Sequence, residues 1–259
     1  MSWNKRRERM RKSLGGRALL GAASLAYGAG VLARQGMYAI GALPRTRIRA
    51  KVICVGNLTS GGTGKTPAVL LAAETLRKRG HEVAILSRGY GREVSKKEVS
   101  VLIDGRHTDW RQCGDEPWMI HQSLQGQGIP VLVCANRVKA GELAVEMYGS
   151  RVLILDDGFQ HLRLHRDLDI VLVNARNPFG GRQLLPLGDL REPLTALRRA
   201  GMVVITHADR VTAAELSRLR EAIDAAHPGV PVLESAHKAD HLLDVKTEAK
   251  LPLSRLKDK

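Results

Sequence analysis

The stretch VGNLTSGGTGKTP, from Val55 to Pro67, places glycines around a Lys-Thr pair directly after a short apolar run. Consecutive glycines cost backbone entropy and are tolerated where a chain turns tightly or approaches a ligand. In a phosphate-binding loop, backbone N–H groups cradle phosphate oxygens, the lysine reaches the terminal phosphates and the Ser/Thr hydroxyl binds Mg²⁺. The pattern G-x-x-x-x-G-K-[ST] is met except at its first glycine, where Thr59 stands. The stretch predicts a strand, a phosphate loop and a helix over residues 67–79.

Composition limits the class of protein. The chain has 259 residues, of which 44% are hydrophobic, enough for one large α/β domain with or without a small appendage. A formal net charge of +15 favours anionic partners such as phosphates, nucleic acid or an anionic membrane face. Aromatic residues make up only 3% of the chain, which argues against stacking platforms for single-stranded nucleic acid. The three cysteines form no C-x-x-C pair and indicate reduced thiols in a cytosolic protein.

The N-terminal segment combines positive charge with an apolar run. Residues 5–12, KRRERMRK, carry six basic side chains and one acidic one, and residues 18–33 contain no charge. A spanning helix needs about twenty apolar residues, so this run is short. We expect a helix at the membrane interface, with the basic cluster on anionic headgroups. The alternative is a helix packed on the following domain with a solvated basic tail.

Apolar runs recur along the rest of the chain at the spacing of β-α units. They predict strands over residues 83–87, 99–103, 129–134, 152–155, 168–173, 202–206 and 232–235, with helices over 142–148 and 215–226. Strands that alternate with helices imply a mostly parallel sheet with helices on both faces. We therefore predict an α/β fold of the P-loop NTPase type, with its ligands at the carboxyl ends of the strands.

Two acidic motifs follow from this arrangement. RVLILDDGFQH, residues 151–161, ends a strand with Asp156 and Asp157, as in a Walker-B element that holds Mg²⁺ beside Thr66. Both carboxylates reach one metal only if the strand has already turned, since neighbouring residues on a strand face opposite ways. GDEP, residues 114–117, supplies a candidate base, although Asp115 is also expected to cap a helix with Pro117 in its first turn.

Several cationic residues follow strands or lie between prolines. SRGYGR, residues 87–92, supplies Arg88, Tyr90 and Arg92, which either grip an anionic substrate or are solvated. Arg137 follows a strand, and LLPLGDLREP, residues 184–193, supplies Arg191 and Glu192. On pattern alone, these last three are solvated surface charges.

Taken together, the motifs VGNLTSGGTGKTP, SRGYGR, GDEP, DDGFQH with RDLDIVLVN, and LLPLGDLREPL resemble the tetraacyldisaccharide 4′-kinase family of lipid A biosynthesis. Their order and spacing match across residues 36–210. The resemblance implies an enzyme that moves the γ-phosphate of ATP to the 4′-hydroxyl of a tetraacylated glucosamine disaccharide 1-phosphate. It implies ATP and Mg²⁺ as cofactors, no nucleic acid as partner, and a place on the cytoplasmic face of the bacterial inner membrane. We accordingly expect a membrane-associating segment over residues 1–48, a P-loop kinase domain over 49–209 and the start of a smaller domain over 210–259.

The resemblance also implies roles for individual residues. The expected catalytic residues are Asp115 as the base, with Lys65 and Asp157. The expected nucleotide contacts are Thr59, Gly61, Gly62, Thr63, Gly64, Lys65, Thr66 and Pro67. Around the metal and phosphates we expect Thr66, Asp156, Asp157, Gln160 and Glu192, and around the substrate Tyr90, Glu116, Arg137, His161 and Arg191.

Members of the family continue beyond the point where this sequence stops, in a segment thought to assist the aspartate base. We expect reduced or absent turnover from this chain, with nucleotide binding retained. Two rival hypotheses are compatible with the same sequence. One is a P-loop ATPase that acts on a partner or on nucleic acid, whose phosphates the net positive charge of the chain would attract. The other is an inactive relative that only binds nucleotide.

Overall fold

The computed structural model describes residues 3–95, 97–105, 109–236, 238, 242–244 and 249–256. Residues 1–2 of the expected N-terminal segment, and 237, 239–241, 245–248 and 257–259 of the expected C-terminal one, lie outside the described residues. Within these ranges the main sheet has eight strands: β1 (Lys51–Asn57), β2 (Val83–Ser87), β3 (Ser100–Leu102), β4 (Val131–Val133), β5 (Val152–Asp156), β6 (Leu168–Asn174), β7 (Met202–Thr206) and β8 (Val232–Glu234). Their order is β3-β4-β2-β5-β1-β6-β7-β8. All neighbours pair in parallel except β3, which runs antiparallel to β4 at the edge.

The sheet continues past residue 209, because β8 pairs with β7 in the same sheet. Two short strands, β9 (Leu242–Leu243) and β10 (Lys250–Leu251), form a separate antiparallel pair. The domain limits expected from the sequence therefore stay a prediction, and the sheet itself shows no break at residue 209.

Among the described residues, seven α-helices accompany the strands: α1 (Trp3–Lys12), α2 (Leu14–Ala39), α3 (Lys65–Lys78), α4 (Trp110–Cys113), α5 (Asp115–Ser123), α6 (Arg137–Tyr148) and α7 (Ala213–Ala226). Helices α3 and α5 pack on one face of the sheet in a core that includes Val69 and Ile154. Helices α6 and α7 cover the other face, in a core that includes Leu153 and Ile223. Because Leu153 and Ile154 are neighbours on β5, their opposite cores show the alternation expected of a buried strand. The predicted α/β fold with helices on both faces is confirmed.

The starts of α6 and α5 differ from the sequence-based expectation. Helix α6 begins at Arg137, five residues earlier than predicted, because the Asn136 side chain accepts a hydrogen bond from the Lys139 amide at 3.4 Å. The prediction that Asp115 caps α5 is wrong: the cap is Gly114, with φ of 95°, and Asp115 is the first helical residue. Glycine adopts this left-handed φ without a steric penalty.

Helix α2 is longer than its apolar core. Ser13 caps it by accepting a hydrogen bond from the Gly16 amide, and the helix runs for 26 residues. By length and composition alone it is long and apolar enough to cross a membrane. Leu20, Ser24 and Gly28 are buried against the domain, whereas Leu14 and Leu25 are 88% and 78% exposed. One face of α2 therefore packs on the protein, and the other presents apolar side chains to the surroundings.

Candidate functional site

The glycine-rich loop lies between β1 and α3 at the carboxyl ends of the strands. Gly64 adopts φ of 79°, which lets the chain turn into the first residues of α3, Lys65 and Thr66. Two neighbouring strand ends hold the loop: the Thr206 hydroxyl donates to the Thr63 carbonyl, and the Asn174 amide donates to the Gly62 carbonyl, both at 3.0 Å.

Space for a ligand lies beside this loop. A Cβ built on Gly61 or Gly62 would meet no atom within 4 Å. Thr59 and Thr63 are buried residues of the loop, and Pro67 is exposed in the first turn of α3. The positive end of the α3 dipole points toward the loop, so the arrangement suits an anion.

The two aspartates at the end of β5 differ in their surroundings. Asp157 adopts φ of 47°, so the strand has turned by this residue and the second carboxylate swings toward the loop. Its oxygens lie 3.0 and 2.9 Å from Arg191 Nη1, and its Oδ1 lies 3.7 Å from Lys65 Nζ. Asp157 thus forms ion pairs with both Lys65 and Arg191.

Asp156 is buried, and its Oδ2 accepts a hydrogen bond from the Ser87 hydroxyl at 3.0 Å. Its Oδ1 has no hydrogen-bond partner among the described residues. Burial, and then the nearby Glu116 carboxylate, raise the pKa of Asp156 to about 7. A buried carboxylate with an unpaired oxygen favours a positive charge beside it.

A cleft of about 670 Å³ opens between these groups and helix α2. Its polar lining includes Tyr27, Arg34, Ser87, Arg88, Tyr90, Glu116, Arg137, Asp156, Asp157, Gln160, His161 and Arg191. Lys65 contacts the cleft lining through its ion pair with Asp157. Thr66 contacts the lining through a 3.3 Å hydrogen bond from its hydroxyl to Glu116 Oε1. Such a mixture of four arginines with three carboxylates fits a ligand that carries phosphates and a cation.

Buried Arg137 and half-buried His161, which also line the cleft, have lowered pKa values. Burial, and next the charge of Arg88, lower the pKa of the Arg137 guanidinium to about 10, which still leaves it charged at neutral pH. Burial, followed by the charge of Arg137, lowers the pKa of His161 to about 3. His161 is therefore a neutral imidazole, and its Nε2 has no hydrogen-bond partner within the described part of the chain.

Besides the expected residues of the phosphate loop, Asp115 and Glu192 lie outside this lining. Asp115 is exposed in the first turn of α5, next to Glu116. Glu192 is 2% exposed and forms a salt bridge with Arg199. Gln160 lines the cleft, but its amide nitrogen donates to the Asn57 carbonyl at 2.9 Å. The roles expected of these residues stay predictions.

Arg92 corrects an expectation. The sequence left it as either a substrate contact or a solvated charge, and it is neither. It is buried, and it donates hydrogen bonds to the carbonyls of Val133, Ser95 and Glu98. Its role is to hold the loop after β2 against β4.

Sequence reasoning missed five residues of the site and its supports. Ser87, Asn174 and Thr206 are polar residues at the ends of apolar strands, a signal that was present. Tyr27 and Arg34 come from α2, and only their spacing of two helical turns hinted at a common face. The Tyr27 hydroxyl donates to the Arg191 carbonyl at 2.8 Å, and Arg34 donates to the Gln160 carbonyl at 3.1 Å.

A cation at this site would have few protein ligands. Within the described ranges, no group of three or more His, Cys, Asp or Glu side chains is placed to hold a metal ion. Mg²⁺ commonly takes one or two protein oxygens and completes its shell with phosphates and water. The hydroxyl of Thr66 and the free oxygen of Asp156 meet that requirement.

The chain matches a family model described as LpxK, tetraacyldisaccharide-1-P 4′-kinase, over residues 16–258. It is 40% identical to a tetraacyldisaccharide 4′-kinase of Elusimicrobium minutum over 258 residues, which cover 99% of this chain and 69% of that relative. It is 46% identical to one of Anaeromyxobacter dehalogenans over 213 residues, which cover 82% of this chain and 55% of the relative. A crystal structure of LpxK from Aquifex aeolicus in complex with ATP matches with a TM-score of 0.75 and 32% identity, over 94% of this chain and 71% of that one. The chain thus spans between 55% and 69% of the length of these two curated relatives.

Proposed function

Because the chain belongs to the tetraacyldisaccharide-1-P 4′-kinase family, we propose that it transfers the γ-phosphate of ATP to the 4′-hydroxyl of a tetraacylated glucosamine disaccharide 1-phosphate. The observation that carries the proposal is the joining of Lys65, Asp157 and Arg191 at one end of a cleft whose other wall is helix α2. The cluster of Lys65, Asp157 and Arg191 suits the phosphates of a nucleoside triphosphate. Helix α2 carries the exposed apolar side chains that suit the acyl chains of a lipid.

The nucleotide phosphates lie along the loop from Thr59 to Gly64 in this proposal. Backbone N–H groups and the α3 dipole bind the phosphate oxygens, and Lys65 neutralises the charge that develops on the transferred group. Arg191 supports this from the opposite side, since it shares Asp157 with Lys65.

Thr66 and Asp156 would hold Mg²⁺, with Asp157, Gln160 and Glu192 as the further expected residues around it. When bound, the ion supplies charge neutralisation on the phosphate oxygens. The unpaired Asp156 Oδ1 is the feature of this chain that fits such a cation.

Two carboxylates at the start of α5 can serve the acceptor hydroxyl. In the proposed step, Asp115 takes the hydroxyl proton, the sugar oxygen bonds to the γ-phosphorus, and the bond between that phosphorus and the β–γ bridging oxygen breaks, releasing ADP. Glu116 lines the cleft and contacts Thr66, which suits it to orient the acceptor and the nucleotide together.

The acyl chains call for a membrane, and we propose that α2 lies at the interface on the cytoplasmic face of the inner membrane. Its exposed leucines face away from the domain. Not every basic residue of α1 is available for headgroups, because Arg7 and Arg11 pair with Asp189 at 2.5 and 3.4 Å. Exposed Arg6, Arg9 and Lys12 remain for anionic lipid.

The test is transfer of label from γ-labelled ATP to lipid A disaccharide 1-phosphate in detergent with Mg²⁺, followed by thin-layer separation of the lipids. We expect labelled lipid from the wild-type chain and a loss of about 10²-fold or more in kcat for Asp115→Asn, with ATP affinity retained. Glu142→Gln, an exposed carboxylate on α6, is the matched control and should leave turnover unchanged. ATP hydrolysis without labelled lipid would instead favour the ATPase alternative.

A further inference from the structure

A buried guanidinium lies behind the turn that begins at Asp157, the second of the two site aspartates. Arg166 stands just before β6, and its side chain is only 7% exposed. Its Nη1 donates to three backbone carbonyls of that turn, those of Gly158 and Phe159 at 3.3 Å and that of His161 at 3.0 Å. We call residues 157–161 the carboxylate turn.

Asp169, on β6, is the counter-ion of this guanidinium. Its Oδ1 lies 2.9 Å from Arg166 Nε, and its side chain is 9% exposed. Burial raises the pKa of Asp169, and the charge of Arg166 opposes that rise. The two residues therefore form an ion pair inside the protein, on the side of the carboxylate turn away from the cleft.

Net stability does not explain the pair. Removing two charges from water is costly, and a buried ion pair is often no better than an apolar pair of the same size. The carbonyls of the carboxylate turn supply a different reason. They belong to a chain that has left the sheet and packs around the fully buried Phe159, where an unpaired carbonyl is unfavourable. One planar guanidinium serves three of them at once.

The same turn places the cleft-facing groups of the site. Asp157 is held at φ of 47°, a conformation that a non-glycine residue rarely adopts unless its surroundings impose it. Gln160 is fixed from the β1 side by its bond to Asn57. Arg166 fixes the turn from behind, without itself lining the cleft.

We propose that Arg166, with Asp169 as its counter-ion, is a positioning residue that sets the carboxylate turn for metal and phosphate binding. It acts through the backbone of residues 158–161 and touches neither ligand. The kinetic part of this proposal rests on the proposed function, whereas the binding part does not.

The experiment compares Arg166→Lys and Asp169→Asn with wild type by equilibrium dialysis of a non-hydrolysable ATP analogue across a Mg²⁺ titration. Lysine keeps the charge but has a single nitrogen, so it cannot reach both the carbonyls that Arg166 Nη1 contacts and the Asp169 carboxylate beside Nε. We expect Arg166→Lys to raise the Mg²⁺ concentration for half-maximal nucleotide binding at least fivefold. Asp169→Asn should cause a smaller shift in the same direction, and the double variant should show less than the sum of both.

Lipid phosphorylation is measured on the same variants. We expect at least a tenfold lower kcat for Arg166→Lys with the KM for lipid within twofold of wild type. Arg163→Lys, an exposed arginine of the same segment, controls for the substitution itself. Val203→Ala, in the core of β7, controls for lost stability and should leave kcat and the Mg²⁺ dependence within twofold well below its melting temperature.

The possible outcomes separate the two proposals. If wild type phosphorylates no lipid, the proposed function fails, and the Mg²⁺ titration alone decides the role of Arg166. A Mg²⁺ dependence for Arg166→Lys that matches Val203→Ala would overturn the positioning role. Failure of both Arg166→Lys and Asp169→Asn to fold would assign the pair to stability alone and overturn it as well.

Discussion

Replacing Gly56 by alanine tests the packing beneath the site. Gly56 lies on β1, and a Cβ added there would lie 2.7 Å from the Phe159 Cβ and 2.9 Å from its backbone nitrogen. Ordinary contacts begin near 3.4 Å, so the carboxylate turn must move by about 0.7 Å. Phe159 is fully buried, and the backbone atoms in contact cannot rotate away as a flexible side chain would.

Such overpacking costs about 1–3 kcal/mol, which lowers the melting temperature of a chain of this size by about 2–12 °C. The displaced turn carries Asp157, and a misplacement approaching 1 Å in a site costs up to about 10²-fold in rate. We therefore expect Gly56→Ala to lose both stability and Mg²⁺-dependent nucleotide binding. Thermal unfolding followed by circular dichroism measures the first, and equilibrium dialysis measures the second.

Gly30→Ala is the matched control for this substitution. Gly30 is exposed on α2, and a Cβ there would meet nothing within 4 Å. Alanine in a helix is more favourable than glycine by about 0.5–1 kcal/mol, so this variant should unfold at the same or a higher temperature. The reasoning fails if Gly56→Ala melts within 1 °C of wild type and binds nucleotide equally well.

Three further changes have defined outcomes. Lys65→Ala should lower kcat by about 10²–10³-fold in the lipid assay, while Lys78→Ala at the exposed end of the same helix should not. Tyr27→Phe removes the hydrogen bond to the Arg191 carbonyl, worth about 0.5–1.5 kcal/mol, and should speed tryptic cleavage within α2 by about two- to tenfold. Native Cys113 should resist iodoacetamide at pH 8.5, because burial raises the pKa of its thiol to about 11. Labelling should begin only as the pH rises toward that value. Detection by mass spectrometry of carbamidomethylated Cys113 at pH 8.5 without denaturant would contradict this prediction.

Much of the fold was predictable from local signals. The apolar runs at β2, β5 and β7 are buried parallel strands with the predicted limits to within one residue. The phosphate loop was predictable because the glycines and the Lys-Thr pair are contiguous, and Gly64 does take a left-handed conformation. These features depend on neighbours in the sequence, which is why a single sequence carries them.

The failures share a different cause. Arg92 has the charge of a surface residue, yet it is buried because the Val133 carbonyl of β4 accepts a hydrogen bond from its guanidinium. The start of α5 failed for a related reason: aspartate is a common cap, but Gly114 meets a close approach to the Tyr90 carbonyl, 2.7 Å from where a Cβ would lie. In each case a contact distant in sequence overrode the local preference.

The contacts of α2 extend this point from the fold to the site. Ser24 donates to the Leu184 carbonyl, Tyr27 to the Arg191 carbonyl and Arg34 to the Gln160 carbonyl. All three acceptors are backbone oxygens of segments that border the cleft. The face of α2 that packs on the domain therefore fixes the chain that carries the cleft-lining side chains. If the exposed face of α2 lies in the membrane as proposed, these three hydrogen bonds would couple lipid contact to nucleotide binding, and the composition of the chain carries no signal of such a link.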